Sequence, residues 1–255
     1  MTKRLILMAA MASLFPEGLS AQRQCEFRDD VELRGTAHDE LRVDAGAGRL
    51  VIRGSEGTGV IQISATLCAS DRERLEALEV SLDGDQVRTD YPGRGWGWGN
   101  NDARIDLEIE VPATTNVYVE DSSGSVTILG VGDVELQDGS GSVHIEKVGS
   151  VLVEDGSGSL RIQDSSGDVE VRDGSGSMTI TNVTGGVMVE DGSGGIEIAT
   201  VGGSVRLDDI GAGGVNVRDV EGDLVVIDGR RERIRYSDVR GRVDLPAARR
   251  RGHGC

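Results

Sequence analysis

The sequence predicts an all-β chain wound as a single-stranded parallel β-helix, a β-solenoid, with coils of about 18 residues and a less regular β cap on the N-terminal side. Three observations predict it. A turn recurs as Asp138-Gly-Ser-Gly-Ser142, Asp155-Gly-Ser-Gly-Ser159, Asp173-Gly-Ser-Gly-Ser177 and Asp191-Gly-Ser-Gly-Gly195. Between these turns lie short alternating apolar segments such as Val143-His-Ile145 and Leu160-Arg-Ile162, the period-2 signal of a strand with one buried face. The chain is poor in aromatics (two Trp, three Tyr, two Phe) and holds 38 Gly at periodic places, which suits stacked aliphatic rungs joined by tight turns. Right-handed winding is expected from the general preference of parallel connections.

Residues 1–21 read as an export signal. Lys3 and Arg4 precede an apolar stretch from Leu5 to Phe15, and Leu19-Ser-Ala21 supplies small residues before Gln22. Residues 22–40 form a linker or cap. From 41 to 120 the pattern is irregular but rich in strand, with segments at Leu41–Val43, Leu50–Ile52, Val60–Ile63, Leu78–Leu82, Gln86–Asp90 and Ile105–Val111. Ser70 and Glu73 have the spacing of a capping box for a short helix near Asp71 to Glu79. Residues 92–101 form a Gly-rich loop carrying Trp96 and Trp98, whose rings either fold back as a lid over the solenoid end or are displayed as anchors for a protein or glycan contact.

The regular repeat occupies 121–246. It is two alternating halves, one turning at Asp-Gly-Ser-Gly and the other at an aliphatic residue: Val131, Val148, Val183, Val201, Val220 or Val239, with Ser165 as the exception. Val134 and Leu136, Val151 and Val153, Val169 and Val171 face inward from one side, and Val143 and Ile145, Leu160 and Ile162, Met178 and Ile180 from the other. So short a coil leaves no lumen. Residues 247–255 read as a disordered basic tail.

The formal charge of −17 makes nucleic acid and anionic lipid poor partners, and no later segment is apolar enough to span a bilayer. Three cysteines in an exported chain suggest one disulfide and one spare. Cys25 with Cys68 is the expected pair; the alternative is an intermolecular bridge through Cys255.

Stacking the turn Asp residues places carboxylates roughly 4.8 Å apart, so they repel unless each caps its own turn through the following amides. The alternative is Ca²⁺ held by Asp138, Asp155, Asp173 and Asp191, since closely spaced oxygens are calcium ligands. The calcium-binding β-roll, however, needs Asp where this chain has Ser125, Ser142, Ser159 or Ser177; only Asp133, Asp168 and Asp223 fall at the matching place, on the other face. No outward column repeats a reactive residue type, and His144 reads as a solvated strand residue, so the expectation is a non-enzymatic protein.

The stretch from Leu41 to Leu245 resembles the bacterial putative-adhesin family, through the Leu-x-Val-x-x-Gly segment at Leu41 to Gly46, the strand ending in Val-Pro at Ile105 to Pro112, and repeats such as Val117 to Val126. The resemblance implies an exported β-solenoid with no catalytic residues. Its expected role is an adhesin-like or envelope-associated scaffold whose partner is an envelope protein or glycan. A calcium-binding β-roll and a polysaccharide-degrading β-helix enzyme are the alternatives.

Overall fold

Alternating Val, Ile and Leu on strands of five to eight residues bury one face only, and the fold completes that face by stacking. A computed structural model of the chain describes residues 25–57, 59–91 and 103–247. In chain order the elements are β1 (Phe27–Thr36), β2 (Glu40–Ser55), β3 (Val60–Ala69), α1 (Arg72–Glu76), β4 (Glu79–Asp83), β5 (Gln86–Asp90), β6 (Ala103–Pro112) and β7 (Asn116–Leu129). The repeat follows as β8 (Val134–Asp138), β9 (Gly141–Val148), β10 (Val151–Asp155), β11 (Gly158–Ser165), β12 (Val169–Asp173), β13 (Gly176–Val183) and β14 (Val187–Asp191). It ends with β15 (Gly194–Val201), β16 (Val205–Asp208), β17 (Val215–Val220), β18 (Leu224–Val226), β19 (Ile234–Val239) and β20 (Val243–Asp244).

The result is an all-β parallel solenoid of about seven turns at about 18-residue spacing. Each coil contributes one strand to each of two parallel ladders. In the first, Val134, Val151, Val169, Val187, Val205, Leu224 and Val243 pair in register. In the second, Ile128, Ile145, Ile162, Ile180, Ile198, Val217 and Tyr236 do. The two inward rows meet in one continuous aliphatic core. Ser165 stands in the buried Val148, Val183, Val201 column because its Oγ donates to the Gly149 carbonyl at 2.6 Å, so its hydroxyl is satisfied without water.

The first coil is not adjacent in sequence to the second. β2 is a whole coil, paired with β7 from Glu40↔Asn116 to Arg53↔Leu129, and residues 56–115 are inserted between them. Its corner is Ala45-Gly46-Ala47-Gly48, with Ala45 opposite Asp121 and Gly48 opposite Gly124. The expected boundary at residue 121 therefore falls inside β7, and residues 22–40 contain the strand β1.

The insertion builds the cap. β6 continues one ladder parallel to β2, and β3 and then β1 add to it antiparallel. β5 continues the other ladder, and β4 returns along it as an antiparallel hairpin. The short helix is present but starts one residue later than the Ser70–Glu73 spacing predicts. Asp71 is its N-cap, accepting the Arg74 amide at 2.8 Å, because Asp, like Ser, offers an acceptor to the unpaired first-turn amides. Cys25 and Cys68 form a disulfide with Cα atoms 5.3 Å apart, joining the residues before β1 to β3.

The Asp residues flagged by calcium-roll spacing have a structural task. Asp133 Oδ1 accepts the Ser150 amide, Asp168 Oδ1 the Gly186 amide and Asp223 Oδ1 the Arg242 amide, each at 2.7 Å and each one coil further on. Asn116 and Ser204 do the same for Asp133 and Asp223. Asp168→Ala should cost about 1 kcal/mol, the usual value of a lost cap, whereas Asp168→Asn keeps the acceptor and should stay within about 0.5 kcal/mol. Urea midpoints of the two variants check this.

Candidate functional site

The Asp-Gly-Ser-Gly corner carries a groove of about 800 Å³. Its floor follows from the turn chemistry. Each Asp ends a strand of the first ladder and, in four coils, accepts through Oδ1 the amide of the Ser two residues on: Ser140 at 3.2 Å, Ser157 at 3.0 Å, Ser175 at 2.9 Å and Ser193 at 2.9 Å. The next residue, Gly139, Gly156, Gly174 or Gly192, has no room for a side chain; a Cβ on Gly156 would lie 2.5 Å from the Gly139 carbonyl oxygen. The corner is thus lined by backbone and carboxylates.

Asp121, Asp138, Asp155, Asp173 and Asp191 are stacked in register and buried, between 2 and 9 % exposed. The fold cannot satisfy all their oxygens: Oδ2 of Asp121 and Oδ2 of Asp155 are buried without a hydrogen-bond partner. Burial, reinforced by the charge of Asp138, pushes the Asp121 carboxyl up to about 7. Asp155 and Asp191 are pushed up to about 6, mainly by burial and then by neighbouring carboxylates, Asp173 in both cases and also Asp138 for Asp155. Asp138 and Asp173 are raised by burial as well. A proton on one carboxyl supplies the donor that a stack of carboxylates lacks, so neighbours can share it.

One residue earlier in each coil, Glu120, Gln137, Glu154, Arg172 and Glu190 line the groove from outside. Arg172 crosses three coils' worth of acid, 3.2 Å from Glu154, 2.8 Å from Glu170 and 3.5 Å from Glu190. Tyr91 stands beside the first coil's corner: its hydroxyl donates to the Ala47 carbonyl at 2.7 Å and accepts the Ala47 amide at 3.0 Å. Burial pushes that hydroxyl up to about 12.

Of the residues singled out in the sequence, Asp138, Asp155, Asp173 and Asp191 come together in this groove, joined by Asp121. Their Oδ1 atoms serve the turns, and the described residues hold no group of three or more His, Cys, Asp or Glu side chains placed to bind a metal ion. Trp96, Trp98, the expected export signal at residues 1–21 and Cys255 lie outside the described residues. His144 sits on β9 with Nε2 3.3 Å from Glu146, a surface pair on the second ladder. Arg172, Glu154 and Glu190 were not singled out by sequence; their only signal is the position before each turn Asp.

The fold and groove define an all-β solenoid with an acidic corner. No protein-family model and no curated protein matches the chain. Among solved structures it is similar to a putative lipid binding protein from Parabacteroides distasonis, with 12 % identity, TM-score 0.44, and 86 % of this chain and 94 % of that one covered. It is similar to a putative adhesin from Bacteroides fragilis, with 14 % identity, TM-score 0.43, and 85 % and 96 % covered. A putative cell adhesion protein from Clostridium sporogenes aligns at 14 % identity and TM-score 0.35, covering 74 % and 99 %. No described helix is long and apolar enough to cross a membrane.

Proposed function

We propose that the chain is a non-enzymatic, exported binding scaffold, adhesin-like or associated with the cell envelope, that presents its acidic corner groove to cationic groups of an envelope protein or glycan. The observation that carries this reading is the groove itself. Its buried Asp column is committed to turn hydrogen bonds, while at the rim Glu120, Glu154 and Glu190 outnumber Arg172, which bridges the last two. A rigid rim of net negative charge on a stacked scaffold can meet a cationic partner with little ordering cost. Export rests on the leader-like residues 1–21 and on the disulfide, which oxidising compartments favour.

The test is retention of isolated envelope fractions on the immobilised protein, followed by elution with salt. The wild type should retain components that elute as ionic strength rises, and Glu154→Lys with Glu190→Lys should lose them. A Trp96→Ala, Trp98→Ala variant run alongside measures the contribution of the loop at 92–101. Equal retention by the Lys variant would remove the groove from the proposal, and no retention by the wild type would end the scaffold reading.

A further inference from the structure

The groove and the Asp column share one wall. Glu120, Glu154 and Glu190 stand one residue before Asp121, Asp155 and Asp191, so a charge held at the rim lies close to the carboxyls of the floor. The column has fewer partners than a row of ionised carboxylates requires. Its five carboxyls recur at every coil from Asp121 to Asp191, about 4.8 Å apart, and all are buried. Oδ2 of Asp121 and Oδ2 of Asp155 have no hydrogen-bond partner. Neighbouring buried carboxylates cannot all ionise, because each like charge disfavours the next. The column therefore holds protons, and how firmly it holds them depends on the charge placed above it. Few charged or titratable groups face it. From the rim come Glu120 on β7, Glu154 on β10, Arg172 on β12 and Glu190 on β14, with Gln137 uncharged on β8. Asp44 on β2 and Asp209 after β16 line the two ends, and Tyr91 after β5 is near enough to Asp121 for that charge to bear on its hydroxyl. Across the corner β9, β11, β13 and β15 begin with Gly-Ser or Gly-Gly and bring no charge. Among the described residues lining the groove Arg172 is the one cation, and Glu154 and Glu190 already engage it.

We propose that the groove takes up ammonium groups in exchange for protons: a ligand carrying several amines binds along the rim, the column beneath it ionises, and the protons shared between its carboxyls leave. It rests on the reading of the groove as a receptor for cationic groups, and adds the ligand chemistry and its control. Several charges are needed because Glu120, Glu154 and Glu190 recur every second coil, roughly 10 Å apart, too far to converge on one ion. Ammonium groups also keep their charge across the range in which the column changes its own. Burial first, and neighbouring carboxylates second, push Asp121 up to about 7 and Asp155 and Asp191 up to about 6, so exchange falls between about pH 5 and pH 8. Above that range the column is charged and attraction is greatest. Below it the protons stay and the rim attracts alone. By reciprocity a ligand that prefers the ionised column must weaken the column's hold on protons.

The experiment is titration calorimetry of the full chain with octalysine, whose side chains stay charged up to about pH 9, at low salt to limit screening. Affinity should rise at least about tenfold from about pH 5 to about pH 8. At about pH 6.5 the heat should differ between buffers of unlike ionisation enthalpy, because binding releases protons into them. Asp121→Asn, Asp155→Asn and Asp191→Asn combined keep an acceptor oxygen at each position and remove the exchangeable protons; the affinity of this variant should change less than about threefold over the same range, with an unchanged far-UV spectrum. Melting of the wild type needs no variant: octalysine should raise the melting temperature more at about pH 8 than at about pH 5. No binding at about pH 8 would end both this proposal and the receptor reading. Equal affinity at both pH values, heats independent of buffer, or a folded Asn variant that keeps the full pH response would overturn the exchange and leave the receptor reading standing.

Discussion

Gly158→Ala should prevent the chain from reaching its native fold or destabilise it by more than about 4 kcal/mol, the range reserved for severe core or backbone conflicts. Gly158 has φ +145°, a conformation L side chains rarely adopt, and a Cβ there would stand 1.8 Å from the Gly141 carbonyl oxygen. No rotamer relieves that contact, because the atom it meets belongs to the backbone of the preceding rung. Relief requires the coils to separate, which breaks the inter-coil bond from Gly141 N to Ser157 O at 3.0 Å and lifts the stacked carboxylates beside it. The same geometry repeats at Gly124, Gly141, Gly176 and Gly194, so alanine at Gly141 or Gly176 should be comparably damaging. Gly195 is the control: it has open space around its Cβ position and stands in the Ser142, Ser159, Ser177 column. Gly195→Ser should shift stability by less than about 0.5 kcal/mol. Thermal melts of the two variants separate a clash at a rung junction from a general sensitivity of Gly-rich corners.

Stability should fall as pH rises from about 4 to 8, the reverse of the usual behaviour of paired surface carboxylates. The folded-state values of Asp121, Asp155 and Asp191 are raised to about 7, about 6 and about 6, above the unfolded value of about 3.9. Between those values the native state holds protons that the unfolded chain has released, so deprotonation favours unfolding. The stabilisation is complete below about pH 4 and is lost through the folded values, by about pH 7. Each unit is worth about 1.4 kcal/mol; discounted for screening by water in the open groove, the three together should amount to roughly 2–4 kcal/mol. Asp30 and Glu146 are held low by Arg28 and by Lys147, so their loss comes at more acid pH, outside this window. Asp155→Asn should raise the melting temperature at pH 8 and flatten the slope, since the amide keeps the acceptor for Ser157 and offers a donor to its neighbours. Asp155→Ala removes the turn cap and should be destabilising at pH 5. A melting temperature that climbs from pH 5 to 8 in the wild type would contradict the shared-proton account.

Much of the regular repeat was legible because its rules are local. Val151 and Val153 alternate with polar residues, Asp155 precedes a Gly-Ser pair that needs an acceptor, and residues one coil apart repeat the same types; register follows from those facts alone. The site was only half legible. The Asp column could be read, and so could the repulsion within it, but its burial could not, because the coil stacked on Asp121, with Ala45 opposite it, is remote in sequence. The roles of Asp133, Asp168 and Asp223 were hidden for a related reason: their acceptors serve amides one coil away, and a match to calcium-roll spacing does not say which partner takes the oxygen.

By itself the sequence determined the period, the strand faces and the turn chemistry, since each depends on residues within one coil or on identical residues one coil on. Only the tertiary structure decided that Glu40–Ser55 is the first coil, that 56–115 is inserted to cap it, and that Tyr236, in register with the buried Val217, is largely exposed. Those features are set by which distant strands cover one another. Burial and strand pairing across tens of residues depend on how the chain returns in space, and no local pattern encodes that return.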